Sequence, residues 1–244
     1  MTLYANWPAP ANVTAFTTQR TSGISLPPYG KNNLAMHVGD NPLHVQGNRT
    51  ALIEAHQLPA MPDWLEQTHS TDCIIVEKDN TRQADAAITR SPDHVLAIMT
   101  ADCLPILLCN LDGTEVAAIH AGWRGLVNGI IGNTLDKMQT SEANLLAWVG
   151  PAICQNCYEV GAEVLDTFTV HYPFASQYFR PDGKKWRANL ARLAGRILQE
   201  HGVKSIYQSN MCTFENESDF YSYRKTAQTG RIASLIWFNN EKQD

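Results

Sequence analysis

Residues 99–124 read MTADCLPILLCNLDGTEVAAIHAGWR, and this stretch determines the kind of fold that the chain can form. One continuous apolar run ends at Asp102-Cys103, and another ends at His120, just before the turn residues of 122–125. Continuous apolar runs of this length are typical of strands that are covered on both faces. The stretch therefore predicts buried strands that present a cysteine and a histidine where they end.

The same kind of pattern extends through the rest of the chain. Strands are predicted at 13–18, 73–78, 95–103, 105–110, 115–121, 145–150, 205–209 and 233–238. Helical spacing of apolar residues and end signals predict four helices, at 42–57, 126–138, 160–168 and 186–198. Helices and strands are mixed without strict alternation, which favours an α+β fold with mixed sheets over a doubly wound fold.

The composition disfavours several classes of protein. The chain has 244 residues, is 44% hydrophobic and 18% charged, and is therefore too apolar for a disordered protein. Its net charge of −5 offers no broad positive field to nucleic acid. The first residues lack the pattern of a signal peptide, and no run reaches the roughly 18 apolar residues of a membrane span. We expect a cytoplasmic protein without nucleic-acid or membrane partners, whose six cysteines are free thiols or metal ligands.

Three residues are candidates for a metal centre or for direct catalysis. Cys103 and His120 end apolar strands, and His69 is predicted to end a short strand-like segment within WLEQTHSTD, residues 64–72. Two histidines and one cysteine can bind Zn²⁺ and leave a fourth position open, and the same ligands suit copper. Cys103 can also act as a nucleophile with His120 as its base, or both can be ordinary buried residues. The residues alone leave these alternatives open.

A separate pair, Cys154 and Cys157, forms one CxxC motif in PAICQNCYEV. One such pair supplies half of a structural zinc site, and the chain contains no second CxxC. We therefore expect two incidental thiols beside a loop.

The arginines that lie beside predicted turns are candidates for binding an anion. They are Arg20, Arg49, Arg124, Arg224 and Arg231. Arg124 ranks first, because it lies between two glycines directly after the strand of His120, and a guanidinium group can bind phosphate through two hydrogen bonds. The chain has neither a P-loop nor a Rossmann glycine pattern, which disfavours nucleotide binding by those devices.

Several motifs together resemble the YfiH-like laccase-domain family. They are NNLAMHVGDNPLHVQGNR, EQTHSTD, ADAAITR, TADCLPILLC, AAIHAGWRG, AWVGPAI and YSYRKTAQTGR, in this order. The resemblance covers about residues 12–238. It implies one unit, 1–244, with an α+β fold of layered mixed β-sheets and helices on the outside, a four-layer sandwich.

The resemblance also implies a metal bound by His69, Cys103 and His120. The family is usually described with zinc, whereas copper underlies the laccase name. Cys154 and Cys157 do not match known family ligands, and KTAQTGR replaces a more usual turn of the type RDGKTGR.

The function that the resemblance implies is a zinc-dependent purine nucleoside phosphorylase. Its substrates would be inorganic phosphate with adenosine, inosine or methylthioadenosine, and adenosine deamination would be a secondary activity. The predicted catalytic residues are the three metal ligands, and the predicted substrate-binding residues are Arg124, Arg49 and Arg224.

Three alternatives to this function stay open. The first is a copper-dependent polyphenol oxidase, disfavoured because the eight histidines are scattered along the chain. The second is a cysteine hydrolase that edits peptidoglycan precursors through Cys103 and His120. The third is a small-molecule binder without catalytic activity.

The positions of the carboxylates bear on the choice between phosphorolysis and deamination. Deamination needs a carboxylate beside the metal. Strand alternation turns Glu66 away from His69 and Asp102 away from Cys103, so none of Glu66, Asp85 and Asp102 is well placed by pattern alone unless a turn intervenes. Phosphorolysis is therefore the expected main reaction.

Overall fold

The computed structural model describes residues 2–239, which contain three β-sheets and five α-helices. The strands are β1 Thr2–Tyr4, β2 Val13–Thr18, β3 Pro62–Trp64, β4 Cys73–Ile75, β5 Ala86–Thr89, β6 Val95–Thr100, β7 Leu104–Asn110, β8 Val116–Ala121, β9 Leu145–Val149, β10 Glu159–Val160, β11 Phe179–Asp182, β12 Lys185–Ala188, β13 Ser205–Gln208 and β14 Ile232–Phe238. The α-helices are α1 Pro42–His56, α2 Trp123–Val127, α3 Ile130–Leu135, α4 Ala162–His171 and α5 Leu190–Glu200. Short 3-10 helices lie at Met36–Val38, Glu142–Asn144 and Ala175–Tyr178.

The sheets combine parallel and antiparallel pairs. The order of strands is β1-β2-β14-β6-β3 in the five-stranded sheet, β13-β9-β7-β8-β5-β4 in the six-stranded sheet and β10-β12-β11 in the small sheet. The pairs β3–β6, β4–β5 and β9–β13 are parallel, and the other pairs among these strands are antiparallel. This arrangement confirms the predicted α+β fold with mixed sheets.

Strand alternation explains why the elements form four layers. Ile106 and Leu108 of β7 pack against the cluster that contains α2 to α5 and the small sheet. Leu107, between them, points to the opposite face and packs against the five-stranded sheet. On the outer face of that sheet, Phe16 packs in the same cluster as Leu52 of α1. The order of layers is therefore helix, sheet, sheet, and helices with the small sheet, as predicted.

The predicted helices at 126–138 and 186–198 differ from the observed elements. Gly129 has a φ of +98°, which ends α2 and separates it from α3. Within 186–198, the first residues form β12, and α5 begins only after Asn189, whose side chain accepts a hydrogen bond from the amide of Arg192. The apolar spacing was helical in both cases, but it did not show where a glycine or a cap divides the segment.

Other boundaries differ by fewer residues. The predicted helix at 160–168 begins at Ala162 and extends to His171, and Val160 belongs to β10. The predicted strand at 73–78 ends at Ile75, because the chain turns there and Asp79 Oδ2 accepts a hydrogen bond from the amide of Ile75. Between residues 2 and 239 no helix is both long enough and apolar enough to cross a membrane. The predicted unit, 1–244, includes Met1 and residues 240–244, which lie outside the described residues, so its bounds stay a prediction.

Candidate metal centre and the cavity around it

Three side chains that are far apart in sequence meet at one point. The Nε2 atom of His69 lies 3.8 Å from the Sγ atom of Cys103. The ring of His120 is edge-on to that of His69, with 4.8 Å between the ring centroids. One ligand atom from each of the three residues lies within 4.8 Å of the others. We refer to these three residues as the histidine–cysteine centre.

Each residue of the centre is supplied by a different local structure. His120 lies in β8, one residue before its end, and Cys103 lies in the turn between β6 and β7. His69 was predicted to end a strand, but it lies in the loop between β3 and β4, with a φ of +61°. Asp102 also has a positive φ, of +93°, which turns the chain before Cys103. His69, which is part of the centre, and Asp102, which precedes Cys103, therefore both have a backbone conformation that is rare for non-glycine residues.

Gly122 leaves the room that the centre needs. A Cβ atom at this position would lie 2.6 Å from Cδ2 of His69 and 3.4 Å from Sγ of Cys103. The first distance is shorter than van der Waals contact, so a side chain here would displace the imidazole ring. Gly122, the first glycine of HAGWRG, is therefore required because the backbone comes close to the ring of His69.

Asp85 holds the two histidines in place. Its Oδ1 atom accepts hydrogen bonds from Nδ1 of His120 at 2.7 Å and from the amide of His69 at 3.0 Å. Its Oδ2 atom accepts hydrogen bonds from the amides of Thr68 and Ser70 and from the Ser70 hydroxyl. Burial opposes its ionisation, but the hydrogen bonds from His120 and Ser70 prevail and lower the pKa of Asp85 to about 2. The ionised carboxylate keeps the proton of His120 on Nδ1, which leaves Nε2 free to bind a cation.

The sequence pattern alone does not place Asp85 beside the centre, but the fold does. This residue comes directly before β5, which pairs with β8 in antiparallel register. The amide of His120 donates to the carbonyl of Asp85 at 2.7 Å, so the two residues lie side by side. The pairing of strands that are distant in sequence determines this contact, and a pattern along one strand cannot show it. The available signal was a single acidic residue before the apolar run of ADAAITR.

The centre favours a thiolate and a protonated imidazole when no cation is bound. Burial alone would raise the pKa of Cys103, but hydrogen bonds and positive charge from His120 and His69 lower it to about 6. Burial likewise opposes the protonation of His120, but Asp85 and Cys103 raise its pKa to about 9. A thiolate is the form of cysteine that binds metals and attacks electrophiles.

The donor set fits a divalent cation. Zn²⁺ binds cysteine sulfur at about 2.3 Å and histidine nitrogen at about 2.0–2.1 Å, so two nitrogens and one sulfur around it lie roughly 3.3–3.6 Å apart. The Nε2–Sγ separation of 3.8 Å between His69 and Cys103 is slightly longer than this range, and all three ligand atoms lie within 4.8 Å of one another. The Asp85–His120 hydrogen bond supplies the outer partner that metal-binding histidines usually have. The chemistry of two imidazoles and one thiolate suits both zinc and copper.

The centre forms part of the wall of a cavity of about 390 Å³. Its lining residues come from both large sheets, from α2 and from the loops around them. They are His37, Gln67, His69, Met99, Thr100, Ala101, Asp102, Cys103, His120, Trp123, Tyr158, Tyr223, Arg224 and Arg231. The volume lies in the range of small-molecule sites. Aromatic and cationic side chains therefore face the same space as the candidate ligands.

The cations around this cavity create a positive environment. Arg224 and Arg231 line it, and burial together with the charges of Arg231 and Arg49 lowers the pKa of His37. Burial and the negative charge of Cys103 raise the pKa of Tyr158 to about 12, so its hydroxyl stays a hydrogen-bond donor at neutral pH. An anionic group in the cavity would be stabilised by these side chains.

The carboxylate of Asp102 organises this side of the cavity. Its Oδ1 atom accepts a hydrogen bond from the hydroxyl of Thr213 at 2.7 Å. Its Oδ2 atom accepts from the hydroxyl of Ser222 at 3.0 Å and from the amide of Arg224 at 2.7 Å. The residue before Cys103 thus ties the turn that carries Cys103 to the segments that carry Thr213 and Arg224.

The three arginines predicted to bind substrate lie in different positions. Arg224 lines the cavity, and its Nη1 atom donates to the carbonyl of Glu159 at 2.6 Å. Arg124 is exposed at the start of α2, outside the cavity lining, with its guanidinium carbon 4.5 Å from the ring centroid of Trp123, which does line the cavity. Their roles in binding stay predictions.

Arg49 stacks on Trp64 at 4.0 Å, and its Nε atom donates to the carbonyl of Leu34. It is not part of the cavity lining, and burial lowers its pKa to about 10. Arg231, which the sequence ranked below the other three, lies in the lining instead. Its position follows from the turn before β14, which the sequence marked only by the TGR of the tail.

A second group of ligand-type side chains lies outside this cavity. Cys154 and Cys157 meet Cys212 and Glu215, and one ligand atom from each lies within 4.8 Å of all the others. We call these four residues the thiol cluster. The expectation that the CxxC pair stands alone is therefore wrong, because the fold brings a second pair, with the spacing CxxE, to the same place.

The fold and the centre agree with the family relationship of the sequence. Residues 14–239 match the family described as multi-copper polyphenol oxidoreductase laccase, and the chain belongs to this family.

Individual relatives and structures cover nearly the whole chain. The chain is 45% identical over 233 residues to "Purine nucleoside phosphorylase YfiH" of Escherichia coli, covering 95% of this chain and 96% of the relative. It is also 45% identical over 237 residues to "Purine nucleoside phosphorylase" of Haemophilus influenzae, covering 96% and 97%. The crystal structure of the Neisseria meningitidis protein NMB0706 superposes with a TM-score of 0.93 at 41% identity, covering 98% and 99% of the two chains.

Proposed function

We propose that this protein is a zinc-dependent purine nucleoside phosphorylase. Its proposed substrates are inorganic phosphate with adenosine, inosine or methylthioadenosine, and adenosine deamination is a secondary reaction. The observation that carries the proposal is the convergence of His69, Cys103 and His120 in the wall of a cavity that also contains cationic and aromatic side chains. The names of the Escherichia coli and Haemophilus influenzae relatives support the same reaction class.

The dimensions and lining of the cavity suit a nucleoside. About 390 Å³ is a volume typical of sites for molecules of this size. Trp123, Tyr158 and Tyr223 offer ring faces and edges to a purine or ribose. Arg224 and Arg231 offer guanidinium groups to phosphate. The lining therefore contains the complementary chemistry for both halves of a phosphorolysis reaction.

The protein side chains would position and neutralise the reactants. A Zn²⁺ held by the three ligands supplies a Lewis acid with an open position. Asp85 keeps the imidazole of His120 oriented, and the arginines reduce the charge of phosphate as it approaches C1′ of the ribose. Tyr158 keeps its proton and can donate a hydrogen bond to a ring nitrogen of the departing purine or to a phosphate oxygen.

The state of the carboxylates supports phosphorolysis as the main reaction. Asp85 accepts five hydrogen bonds, and Asp102, the single carboxylate among the described residues that line the cavity, accepts three. Glu66 is exposed and lies in the loop before His69. A carboxylate that shuttles protons in deamination must exchange hydrogen-bond partners during the reaction. Asp85 and Asp102 would have to give up structural contacts to do so.

A cysteine hydrolase is the second candidate, because the centre also has the geometry of a nucleophile with its base. Cys103 has a lowered pKa, His120 lies beside it, and Asp85 orients His120. Cleavage of an amide in a peptidoglycan precursor by Cys103 would need no metal. A copper polyphenol oxidase has less support, since the described residues bring only two histidines to the centre and oxygen reduction by laccases needs several coppers.

The test combines metal analysis with product analysis. We expect purified protein to contain zinc and to convert adenosine into adenine and ribose 1-phosphate only when phosphate is present. Cys103→Ser should abolish this conversion, whereas His171→Ala, an exposed histidine at the end of α4, should leave it unchanged.

The products distinguish the alternatives. Inosine formed without phosphate would reverse the order of phosphorolysis and deamination. Hydrolysis of muropeptides that persists in a strong chelator would support the cysteine hydrolase instead. We also propose a cytoplasmic location, which is supported by six cysteines that form no disulfide.

A further inference from the structure

The thiol cluster is built from two short segments that have the same spacing. Cys154 and Cys157 follow β9, and Cys212 and Glu215 follow β13. Both pairs have two intervening residues, QN in the first and TF in the second. β9 and β13 are parallel neighbours, and their pairing extends past the strands to a bridge between Ala152 and Cys212. The sheet therefore delivers the two pairs to the same end.

The contacts between the two segments match in position. The amide of Cys154 donates to Sγ of Cys212 at 3.3 Å, and Sγ of Cys157 lies 3.5 Å from Oε1 of Glu215. Each contact joins residues that are 58 positions apart. The first segment turns back on itself through hydrogen bonds from the amides of Cys157 and Tyr158 to the carbonyl of Cys154. Such a turn points both thiols of a CxxC to one side, as zinc-binding turns do.

The separations and the donors suit Zn²⁺. Tetrahedral zinc with sulfur at about 2.3 Å holds its thiolates about 3.8 Å apart. All four ligand atoms of the thiol cluster already lie within 4.8 Å of one another. The ligand set consists of three thiols and one carboxylate. Soft sulfur donors select zinc over Mg²⁺ or Ca²⁺. Cys212 is buried and Glu215 is exposed, so a cation can reach the site from solvent.

Two arginines bind the turn of the first pair through Asn156. Arg180 donates to the side chain of Asn156, and Arg187 donates to its carbonyl. Asn156 lies between the two cysteines of the first pair, so both guanidinium groups hold this turn from outside.

We propose that the thiol cluster binds a structural Zn²⁺ ion, separate from the histidine–cysteine centre. The four protein ligands would leave no open position, which is the arrangement of structural rather than catalytic zinc. The ion would join the segments after β9 and β13. This site depends on neither the reaction nor the metal of the cavity.

The position of the ion also gives it a role in shaping the cavity. Tyr158, next to Cys157, lines the cavity, and Thr213, next to Cys212, donates a hydrogen bond to Asp102. Binding at the thiol cluster would hold these two neighbours at a fixed separation. The ion would thus stabilise the part of the cavity wall that contains Tyr158 and Asp102 without touching a substrate.

The test measures zinc in a protein whose cavity centre has been removed. In the full-length double variant His69→Ala with Cys103→Ala, we expect one Zn²⁺ per chain by native mass spectrometry. Cobalt substituted into this variant should give an intense ultraviolet band from thiolate-to-metal charge transfer. Adding Cys154→Ser with Cys157→Ser should remove both the ion and the band.

A milder substitution keeps the test valid where the serine variants do not fold. Glu215→Gln should weaken zinc retention against a competing chelator by at least about 10-fold, whereas Glu217→Gln, on an exposed residue of the same segment, should leave it unchanged. The proposal is overturned if the double variant carries no zinc. It is also overturned if peptide mapping of the denatured, unreduced protein finds a disulfide between two of Cys154, Cys157 and Cys212.

Discussion

Replacing Asp85 with Asn should weaken metal binding and destabilise the fold together. The change keeps the size of the side chain but removes the negative charge that accepts the hydrogen bond from His120. Loss of a partner that orients a metal-binding histidine typically lowers affinity by about 10–100-fold, equivalent to roughly 1.4–2.7 kcal/mol. We expect a decrease of this size in Zn²⁺ affinity, measured by competition with a chromogenic chelator.

The pKa of Asp85 gives the expected loss of folding stability in Asp85→Asn. Its value of about 2 lies roughly two units below that of a free aspartate, so ionisation stabilises the folded state by roughly 2–3 kcal/mol at neutral pH. Because the pKa is lowered by folding, this contribution is present above about pH 4 and is lost as the pH falls towards 2. Urea unfolding of chelator-treated protein should therefore show a large difference between wild type and Asp85→Asn at about pH 6, and a smaller one at about pH 3.

Asp72→Asn is the matched control, because Asp72 is an exposed carboxylate in the same loop. It should change neither zinc affinity nor the free energy of unfolding by more than about 0.5 kcal/mol. The reasoning is refuted if Asp85→Asn binds zinc as tightly as wild type. A stability difference that grows as the pH falls would refute the assignment of the lowered pKa.

Three further results are expected. Gly122→Ala should lower zinc affinity at least about 10-fold, because its Cβ would lie 2.6 Å from the ring of His69, and circular dichroism should show that the fold is retained. Unchanged affinity would mean that the ring can move without weakening zinc binding. In chelator-treated protein, iodoacetamide should modify Cys103 at a rate that reaches half its maximum near pH 6, measured by peptide mass spectrometry. Cys109 should stay unmodified, because burial raises its pKa to about 12. A Cys103 rate that rises only above about pH 8 would contradict its low pKa. Arg124→Lys should raise the KM for phosphate with little change in Tm, since lysine keeps the charge but lacks the planar guanidinium geometry. An unchanged KM would indicate that the arginines of the cavity lining bind phosphate instead.

The apolar runs predicted the layers because burial on both faces leaves a clear mark on a sequence. The strand 13–18 was predicted with the bounds that the structure shows, and β7 and β8 differed by one residue at the start. Short or charged strands were missed. β12, Lys185–Ala188, belongs to a small sheet with only three buried residues among its ten, and its sequence lacks both an apolar run and a clear alternation.

The sequence predicted the residues of the candidate site whose type alone suggests a metal ligand, but not the contacts between distant strands. Cysteine and histidine at the ends of apolar runs marked Cys103 and His120, and a short strand-like segment marked His69, although the structure places His69 in a loop. The contact of Asp85 with His120 depends on the register of β5 and β8, and the meeting of Cys154 with Cys212 depends on the pairing of β9 and β13. Contacts between distant strands follow from the sheet order, which a single sequence does not reveal.

The turn at Ala101–Cys103 carries the chain from β6 in the five-stranded sheet to β7 in the six-stranded sheet. A cation bound by Cys103 and by His120 of β8 would therefore be attached both to the connection between the two sheets and to the interior of one of them. The ion would also face the cavity, and its third ligand, His69, lies in an exposed loop, so it could leave through the cavity without separation of the sheets. The packing of the two sheets would then set the distance between Cys103 and His120 rather than the residence time of the ion. Substitutions that loosen the core between the sheets should lower the affinity for the ion without altering any ligand.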